Sequence, residues 1–424
     1  MDSKLVQTAR GLLTRLRGTA YVFGTDVLGE VGPTAAELGK NALVVGNTTH
    51  TKSILHRVIQ SLYTNGMLVN STLGARPNTP IEDVYRIASK IQNSRPDLIV
   101  AVGGGSTIDA VKAAVAVACL GGEVERFFGT GLVGEALKGA GSSLIPIVAV
   151  PTIAGSGAHL TKYANVTDLA RAQKKLIVDE VLVPARSVFD YDVTLTAALD
   201  ITVDGILDGM SHLVEVFFGT GAANSDQYSM VEQLVKTGVP LIVKAAGRVL
   251  ANPDDRVGRA AIGLATDLGA CAIMIGGTNG PHLNSFSLVD VASHGRACGI
   301  LNPYYAVLFA SAIEPQLQVL GRIYAEYGLI LEDLGTLAGR DLALAVARGM
   351  QRFMQSLGVP VSLKELPGFG ENHLERILTA AKDSQLRMKL KNMPVPITPR
   401  LVDDTIGSVL KAAYAGDLRL VHSL

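Results

Sequence analysis

Through the first half of the chain, short apolar runs alternate with stretches of helical periodicity. Ala42-Leu-Val-Val45 reads as a strand, Ser53 to Asn65 as a helix and Asp83 to Asn93 as another. Asp97 to Val102 and Ile145 to Val150 read as further strands. Strands that are apolar without a break and separated by helices belong to a parallel sheet covered on both faces; a half-exposed strand would alternate instead. From about Leu195 the pattern changes to long helical segments with few strand candidates. It predicts an α/β N-terminal domain, residues 1–194, and an all-α domain, residues 195–424, joined near Asp192 to Ala198. A chain of 424 residues is too long for one hydrophobic core, which agrees with that division.

Composition narrows the function classes. Thirty-eight basic residues balance thirty-eight acidic ones, so nothing draws the protein to nucleic acid or to an anionic membrane. A hydrophobic fraction of 48% suits a well-buried enzyme and excludes a disordered chain. Cys119, Cys271 and Cys298 are widely spaced and odd in number, which argues against a disulfide framework or a cysteine zinc knuckle and for a reducing cytoplasm. Met1 to Arg17 has no continuous apolar core, so no signal peptide is expected. The apolar stretch Leu144 to Ala154 is short and broken by Pro146 and Pro151, so no membrane span is expected either.

Two loops at strand ends carry candidate chemistry. Val102-Gly103-Gly104-Gly105-Ser106-Thr107 lies between a buried strand and the helix Ile108 to Val117. Glycines there let backbone approach a phosphate, and the following helix offers unpaired N–H groups and the positive end of its dipole. The motif is neither G-x-G-x-x-G nor a Walker loop, and it could also be only a tight strand-to-helix turn. After the next strand comes Pro151-Thr152-Ile-Ala-Gly155-Ser156-Gly157-Ala-His159-Leu-Thr161. Carboxyl ends of parallel strands are where doubly wound sheets bind ligands, although an ordinary polar loop would look the same.

A separate constellation sits in the helical half. Asp208 and His212 are four apart and share a helix face, while His282 and His294 follow downstream. Three imidazoles and a carboxylate suit Fe²⁺ or Zn²⁺ better than Ca²⁺ or Mg²⁺, which favour oxygen shells.

Taken jointly, these segments resemble the iron-containing (group III) alcohol dehydrogenase family over nearly the whole chain. The resemblance rests on Gly24 in Tyr-Val-Phe-Gly, Pro77-Asn78-Thr79-Pro80, Gly103-Gly-Gly-Ser106, Pro151-Thr152-x-Ala-Gly155, Asp208-x3-His212-x2-Glu215 and His294-Gly295. It implies a Rossmann-like sheet domain holding NAD or NADP, an all-α domain of the dehydroquinate synthase-like type, and a metal in the cleft between them. It further implies hydride transfer between an alcohol and an aldehyde or ketone. Asp208, His212, His282 and His294 match the metal ligands and would carry the catalysis. Gly103, Gly104, Gly105 and Ser106 would cradle the pyrophosphate, Thr152 and Thr161 would lie along the cofactor, and Asn78 and Lys174 would contact its sugars.

The chain also departs from that family. His282 and His294 are twelve apart, which rotates roughly 120° off one helix face, so the chain must bend; Pro281 opens a helix and Gly295 permits a turn. Phe286 stands where many members carry another His, and His159 where the family usually has Glu. His159 could substitute as a polar group or be structural; Glu215 could support the ligands or be a solvated charge. After the second strand, Val44 to Thr49 with Asn47 has no carboxylate to hold a ribose 2′-hydroxyl, which favours NADP while still admitting NAD. Leu283, Phe286 and Ile206 are candidate apolar liners for a small to medium uncharged alcohol. Two other readings stay open: a lyase of the dehydroquinate synthase type, disfavoured because no basic residue lies in Asp208 to Phe218 or His282 to His294, and a non-catalytic descendant that binds nucleotide and metal. A homo-oligomer, dimer or larger, is expected from the apolar helical half.

Overall fold

Leu43 to Val45 and Leu98 to Val102 are buried without exception, as continuous apolar runs require of strands covered on both faces. The computed structural model describes residues 2–221 and 225–422. Its strands are β1 (Tyr21–Gly24), β2 (Asn41–Gly46), β3 (Leu68–Thr72), β4 (Leu98–Gly103), β5 (Gly129–Thr130), β6 (Ile147–Pro151), β7 (Tyr163–Asp168), β8 (Gln173–Val178) and β9 (Arg186–Asp190). Six form one sheet in the order β1-β9-β6-β4-β2-β3, with every pairing parallel. A smaller sheet, β5-β8-β7, lies within the same unit.

Strand order reverses beside β4: β2 leads outward to β3, and the chain then returns to the other side through β4, β6 and β9. That switch point opens a crevice at the carboxyl ends of β2 and β4. Register places Gly103 beside Pro151, so the two candidate loops leave the sheet at one level. The helix Gly105–Leu120 then packs against β2, β4 and β6, with Ala110, Ala113, Ala114 and Ala116 all fully buried. Small side chains let its axis approach closely, and burial on every side explains the unbroken apolar run from Ala113 to Val117.

Contacts divide the chain into two compact units. One comprises Leu13–Thr202 with Asp254–Gly263; the other comprises Met1–Leu12, Val203–Pro253 and Leu264–Leu424. The first holds both sheets, and the second is built from helices. One helix, Arg256–Ile275, is long and apolar enough by length and composition to cross a membrane, and 83% of its qualifying window is buried inside the protein. The expectation of no such segment looked only for unbroken apolar runs. In this helix Arg259 and Asp267 interrupt the run, and both are buried.

Candidate metal centre and dinucleotide turn

At the end of β4 the chain turns through Gly103 and Gly104 into the helix Gly105–Leu120. None of the three glycines has positive φ; what they supply is the missing Cβ. A Cβ on Gly104 would stand 2.8 Å from Ile153 Cδ1, and one on Gly105 2.8 Å from Ser156 Oγ. The loop after β6 therefore lies directly across the turn, and Thr152 N donates to Gly103 O at 3.2 Å.

A third loop closes the same place. Asn78 N donates to Ser106 Oγ at 3.0 Å, and Thr79 Oγ1 donates to Ser106 O at 3.0 Å. Asn78 and Thr79 both hold positive φ, 66° and 55°. Such a conformation costs on the order of 1–3 kcal/mol per residue and persists where the surroundings enforce it. Thr167 enforces it here, its Oγ1 bonded to Asn78 O and its N to Thr79 O. Asn47 Nδ2 donates to Ala75 O at 2.8 Å, tying the end of β2 to the same loop. Asn47, Asn78, Gly103 to Ser106 and Thr152 thus come together at the switch point. Thr161 and Lys174 are both buried; Lys174 pairs in register with Thr167.

Sequence reasoning missed Lys112. It is fully buried, and its Nζ donates to Thr161 O at 2.7 Å and Tyr163 O at 2.8 Å. Burial pulls the ammonium down to about 8 despite Asp109. It lies seven residues into an apolar helix, where a lone lysine gives no sign of facing inward. His159 takes its structural reading: its ring packs 5.3 Å from Phe189, edge-on, and Nε2 lies 3.3 Å from the Tyr21 hydroxyl.

The second unit brings Asp208, His212, His282 and His294 to one point. Asp208 and His212 sit one turn apart on the helix Leu199–Phe218. His282 lies in the first turn of the helix Gly280–Ser285, which Asn279 caps by accepting from Gly280 N and which has Pro281 in its opening turn. His294 opens the next helix, His294–Leu308, so the required bend falls between the two helices. Gly295 is not a turn, contrary to expectation. Its missing Cβ lets that helix touch the first, since a Cβ would stand 1.9 Å from Asp204 O. Arg296 Nε holds Asp204 Oδ1 at 2.6 Å beside it.

Around Asp208 Oδ1, His212 Nε2 lies at 3.5 Å, His282 Nε2 at 3.5 Å and His294 Nε2 at 3.7 Å. Four donors each about 2.0–2.2 Å from one ion at tetrahedral angles stand roughly 3.3–3.6 Å apart. Asp208 Oδ1 and His282 Nε2 are buried and have no hydrogen-bond partner in the protein, a costly arrangement unless a cation completes it. A divalent metal therefore fits. Cys298 Sγ also lies within 4.8 Å of donor atoms of Asp208, His282 and His294. It approaches His294 from the Nδ1 side, at 4.0 Å, whereas His212 converges through the same ring atom as the other two imidazoles. The three-histidine set is the better cage.

Protonation favours the same reading. Burial works to raise the Asp208 carboxyl, yet the surrounding imidazoles outweigh it and hold it well below the usual carboxylate range. Burial pulls His212 down to about 4 against Asp208, leaving its lone pair free near neutral pH. His282 goes the other way: burial opposes, but Cys298, Glu215 and Asp208 push it well up. In the metal-free protein a proton thus stands where a cation would.

Glu215 is fully buried, so the solvated reading falls. Its Oε1 lies 2.6 Å from His282 Nδ1, and its Oε2 accepts from Asn279 N at 3.0 Å and His282 N at 3.4 Å. A carboxylate on Nδ1 fixes the tautomer and aims Nε2 at the metal. Ser285 Oγ does the same for His294 Nδ1 at 2.9 Å. Phe286 is buried with its ring stacked 5.9 Å from that of His294. Leu283 and Ile206 are buried too.

The model of the family described as iron-containing alcohol dehydrogenase matches residues 18–191. Residues 18–191 thus carry the domain of that family. The chain's relatives include the NAD-dependent methanol dehydrogenase of Bacillus methanolicus, 24% identical over 84% of this chain and 90% of that one. The NADH-dependent butanol dehydrogenase B of Clostridium acetobutylicum is 25% identical over 84% and 89%. Among solved structures, an alcohol dehydrogenase from Oenococcus oeni superposes with a TM-score of 0.79 at 23% identity, over 93% of this chain and 98% of that one. The fold is therefore that of the iron-containing alcohol dehydrogenases over 93% of this chain. One residue near the candidate metal centre escaped the sequence reading altogether. Lys389 is buried, donates to Thr278 Oγ1, and lies 5.6 Å from the centroid of the Phe286 ring. It follows His294 by almost a hundred residues, too far for any spacing argument to reach.

Proposed function

We propose that the protein is a metal-dependent alcohol dehydrogenase that moves hydride reversibly between an alcohol and NAD, reducing aldehydes or ketones in the other direction. The observation that carries this is the convergence of three Nε2 atoms on Asp208 Oδ1 at 3.5–3.7 Å. Asp208, His212, His282 and His294 would hold the ion, with Fe²⁺ preferred over Zn²⁺ because the family is iron-containing. When bound, the ion supplies Lewis acidity toward an alcohol or carbonyl oxygen, and the dinucleotide supplies the hydride acceptor or donor.

The protein's own residues do the positioning. Glu215 accepts the His282 Nδ1 proton and so turns Nε2 toward the ion as the ligating atom. Phe286 covers one face of His294 and excludes water there. Gly104, Gly105 and Ser106 lie at the start of a helix, where N–H groups and dipole suit a pyrophosphate, and Asn78 and Thr152 hold the adjoining loops to it. Asn47, Thr161 and Lys174 complete the proposed cofactor-binding set.

NAD takes precedence over the NADP suggested by the missing carboxylate, because the relatives' names specify NAD or NADH. Titration with NADH and NADPH tests this; NADPH binding tighter by tenfold would reverse it. The substrate is a small-molecule alcohol, aldehyde or ketone; the proposed setting is a reducing cytoplasm, without a nucleic-acid or membrane partner and as a homo-oligomer. Protein purified without oxygen should carry a divalent metal by elemental analysis and change nicotinamide absorbance with a panel of primary alcohols and aldehydes. A metal-loaded protein that binds NADH but turns over none of them would favour the non-catalytic descendant. The lyase reading needs several cations for an anionic substrate; Lys389 alone does not provide them.

A further inference from the structure

The three imidazoles around Asp208 are not held alike. His282 Nδ1 lies 2.6 Å from Glu215 Oε1, and His294 Nδ1 lies 2.9 Å from Ser285 Oγ. The Ser285 hydroxyl donates its one proton to His282 O at 2.7 Å, so toward His294 it accepts. Both rings are therefore fixed in tautomer and in direction. His212 has no such tie. Its Nδ1 is buried without a hydrogen-bond partner among the described residues, although His212 is as deeply buried as His282, each at 4% exposure. Its ring lies on that of His282, with centroids 4.9 Å apart and planes 29° from parallel, and stacking lacks the directionality of a hydrogen bond. What braces His212 is its root: a Cβ on Gly269 would stand 3.1 Å from His212 Cβ. The ring keeps its torsions, and turning it breaks no hydrogen bond at Nδ1.

That asymmetry bears on how a substrate oxygen enters. A catalytic metal site keeps a position open, whereas four protein donors close a tetrahedral shell. An incoming oxygen must then either enlarge the shell or take the place of one donor. Enlargement requires the donors to spread, yet His282 and His294 are tied, and the helices bearing Asp208 and His294 meet where a Cβ on Gly295 would stand 1.9 Å from Asp204 O. Asp208 carries the one negative charge among the four, which a dication gives up less readily than a neutral imidazole. Exposure alone would single out His294, whose side chain is 22% exposed against 5% for His212; the tie from Ser285 decides otherwise.

We propose that His212 is the exchangeable ligand of the metal centre. Its bond from Nε2 to the ion breaks as a bond from oxygen to the ion forms, and the neutral ring stays stacked on His282. No proton or electron moves in the exchange. This rests on the proposed metal-dependent dehydrogenase reading and deepens it by naming the donor that yields to substrate.

The experiment uses metal-freed full-length protein titrated with Co²⁺ and followed by visible absorption, with azide then added to the cobalt form. Tetrahedral Co²⁺ absorbs several times more strongly than five-coordinate Co²⁺. Wild-type protein saturated with azide should keep its strong absorption, because one donor replaces another; a severalfold fall means that the shell has enlarged, and overturns the proposal. His212→Ala should bind Co²⁺ about tenfold more weakly, whereas His282→Ala should lose more than about a hundredfold. By linkage, azide that no longer has to displace an imidazole should bind His212→Ala about tenfold more tightly than wild type. A loss of Co²⁺ in His212→Ala as severe as in His282→Ala overturns the proposal, as does azide binding that is unchanged or weaker. Should His212→Ala fail to fold, by circular dichroism, the wild-type azide spectrum decides alone. Wild-type protein that takes up no Co²⁺ strikes the metal-dependent reading instead, so the two failures are distinguishable.

Discussion

Around the glycine turn the polar groups are bonded to one another, with Asn78 N on Ser106 Oγ, Thr152 N on Gly103 O and Asn47 Nδ2 on Ala75 O. Around Asp208 the reverse holds: its Oδ1 and His282 Nε2 are buried without a hydrogen-bond partner. The first site is finished before any ligand arrives, and its glycines serve the packing of its own loops. The second is finished only by a cation. Unpaired buried polar groups cost stability until a ligand satisfies them, so the two sites should respond very differently to being emptied.

The largest break in that contrast comes from the ligands themselves. His282→Ala should remove metal and turnover, lowering metal affinity by more than about a hundredfold, while NADH fluorescence titration stays within twofold or so of wild type. Metal-stripped protein with unchanged turnover would refute the metal role.

Glu215→Gln should cost about 10–100-fold in metal affinity, because the amide no longer fixes His282 with its proton on Nδ1. Equal affinity by competition with a chelator would make Glu215 merely a buried support for Asn279.

The pH response sharpens the comparison further. His282 is raised above its ordinary value in the metal-free protein, with burial opposing and Cys298 and Glu215 raising it. Metal must displace that proton, so affinity should rise with pH up to the raised value, by about tenfold per unit. The nucleotide turn contains no such group; a metal affinity that is flat from pH 6 to pH 8 would contradict the assignment. His212, already down at about 4, contributes nothing across that window.

The smallest effect is expected at the finished site. Gly105→Ala would press a methyl against Ser156 Oγ, 2.8 Å away. That side chain can rotate, so NADH binding should weaken only about tenfold, equivalent to 1.4 kcal/mol, with metal content intact. Loss of metal in this variant would mean that the two sites are not independent.

Much of this was legible in the chain. The unbroken runs at Leu43 to Val45 and Leu98 to Val102 carry the sheet because burial on both faces leaves no polar position to hide them. Asp208 and His212 could be paired from helical spacing, but linking them to His282 and His294 took the family resemblance, since spacing says nothing across a chain reversal. Glu215, three residues after His212, was visible on the right face; its burial was not, because carboxylates on helices usually face water. Lys112 and Lys389 were invisible for the same reason. A lysine looks the same in sequence whether it caps a buried carbonyl or dangles in solvent. Gly295 was misread because a glycine that permits a turn and one that permits a helix crossing are the same letter.

That crossing has a mechanical meaning. Where the helix of His294 rests on the carbonyl of Asp204, no side chain lies between, and a single added carbon would sit 1.9 Å from the oxygen. The separation of two ligand-bearing helices is thus set by backbone atoms in direct contact, which have no rotamers to yield. A larger ion would have to bend a helix rather than swing a side chain, so the pocket's tolerance for ionic radius becomes a question of stiffness, enforced by the absence of one methyl group.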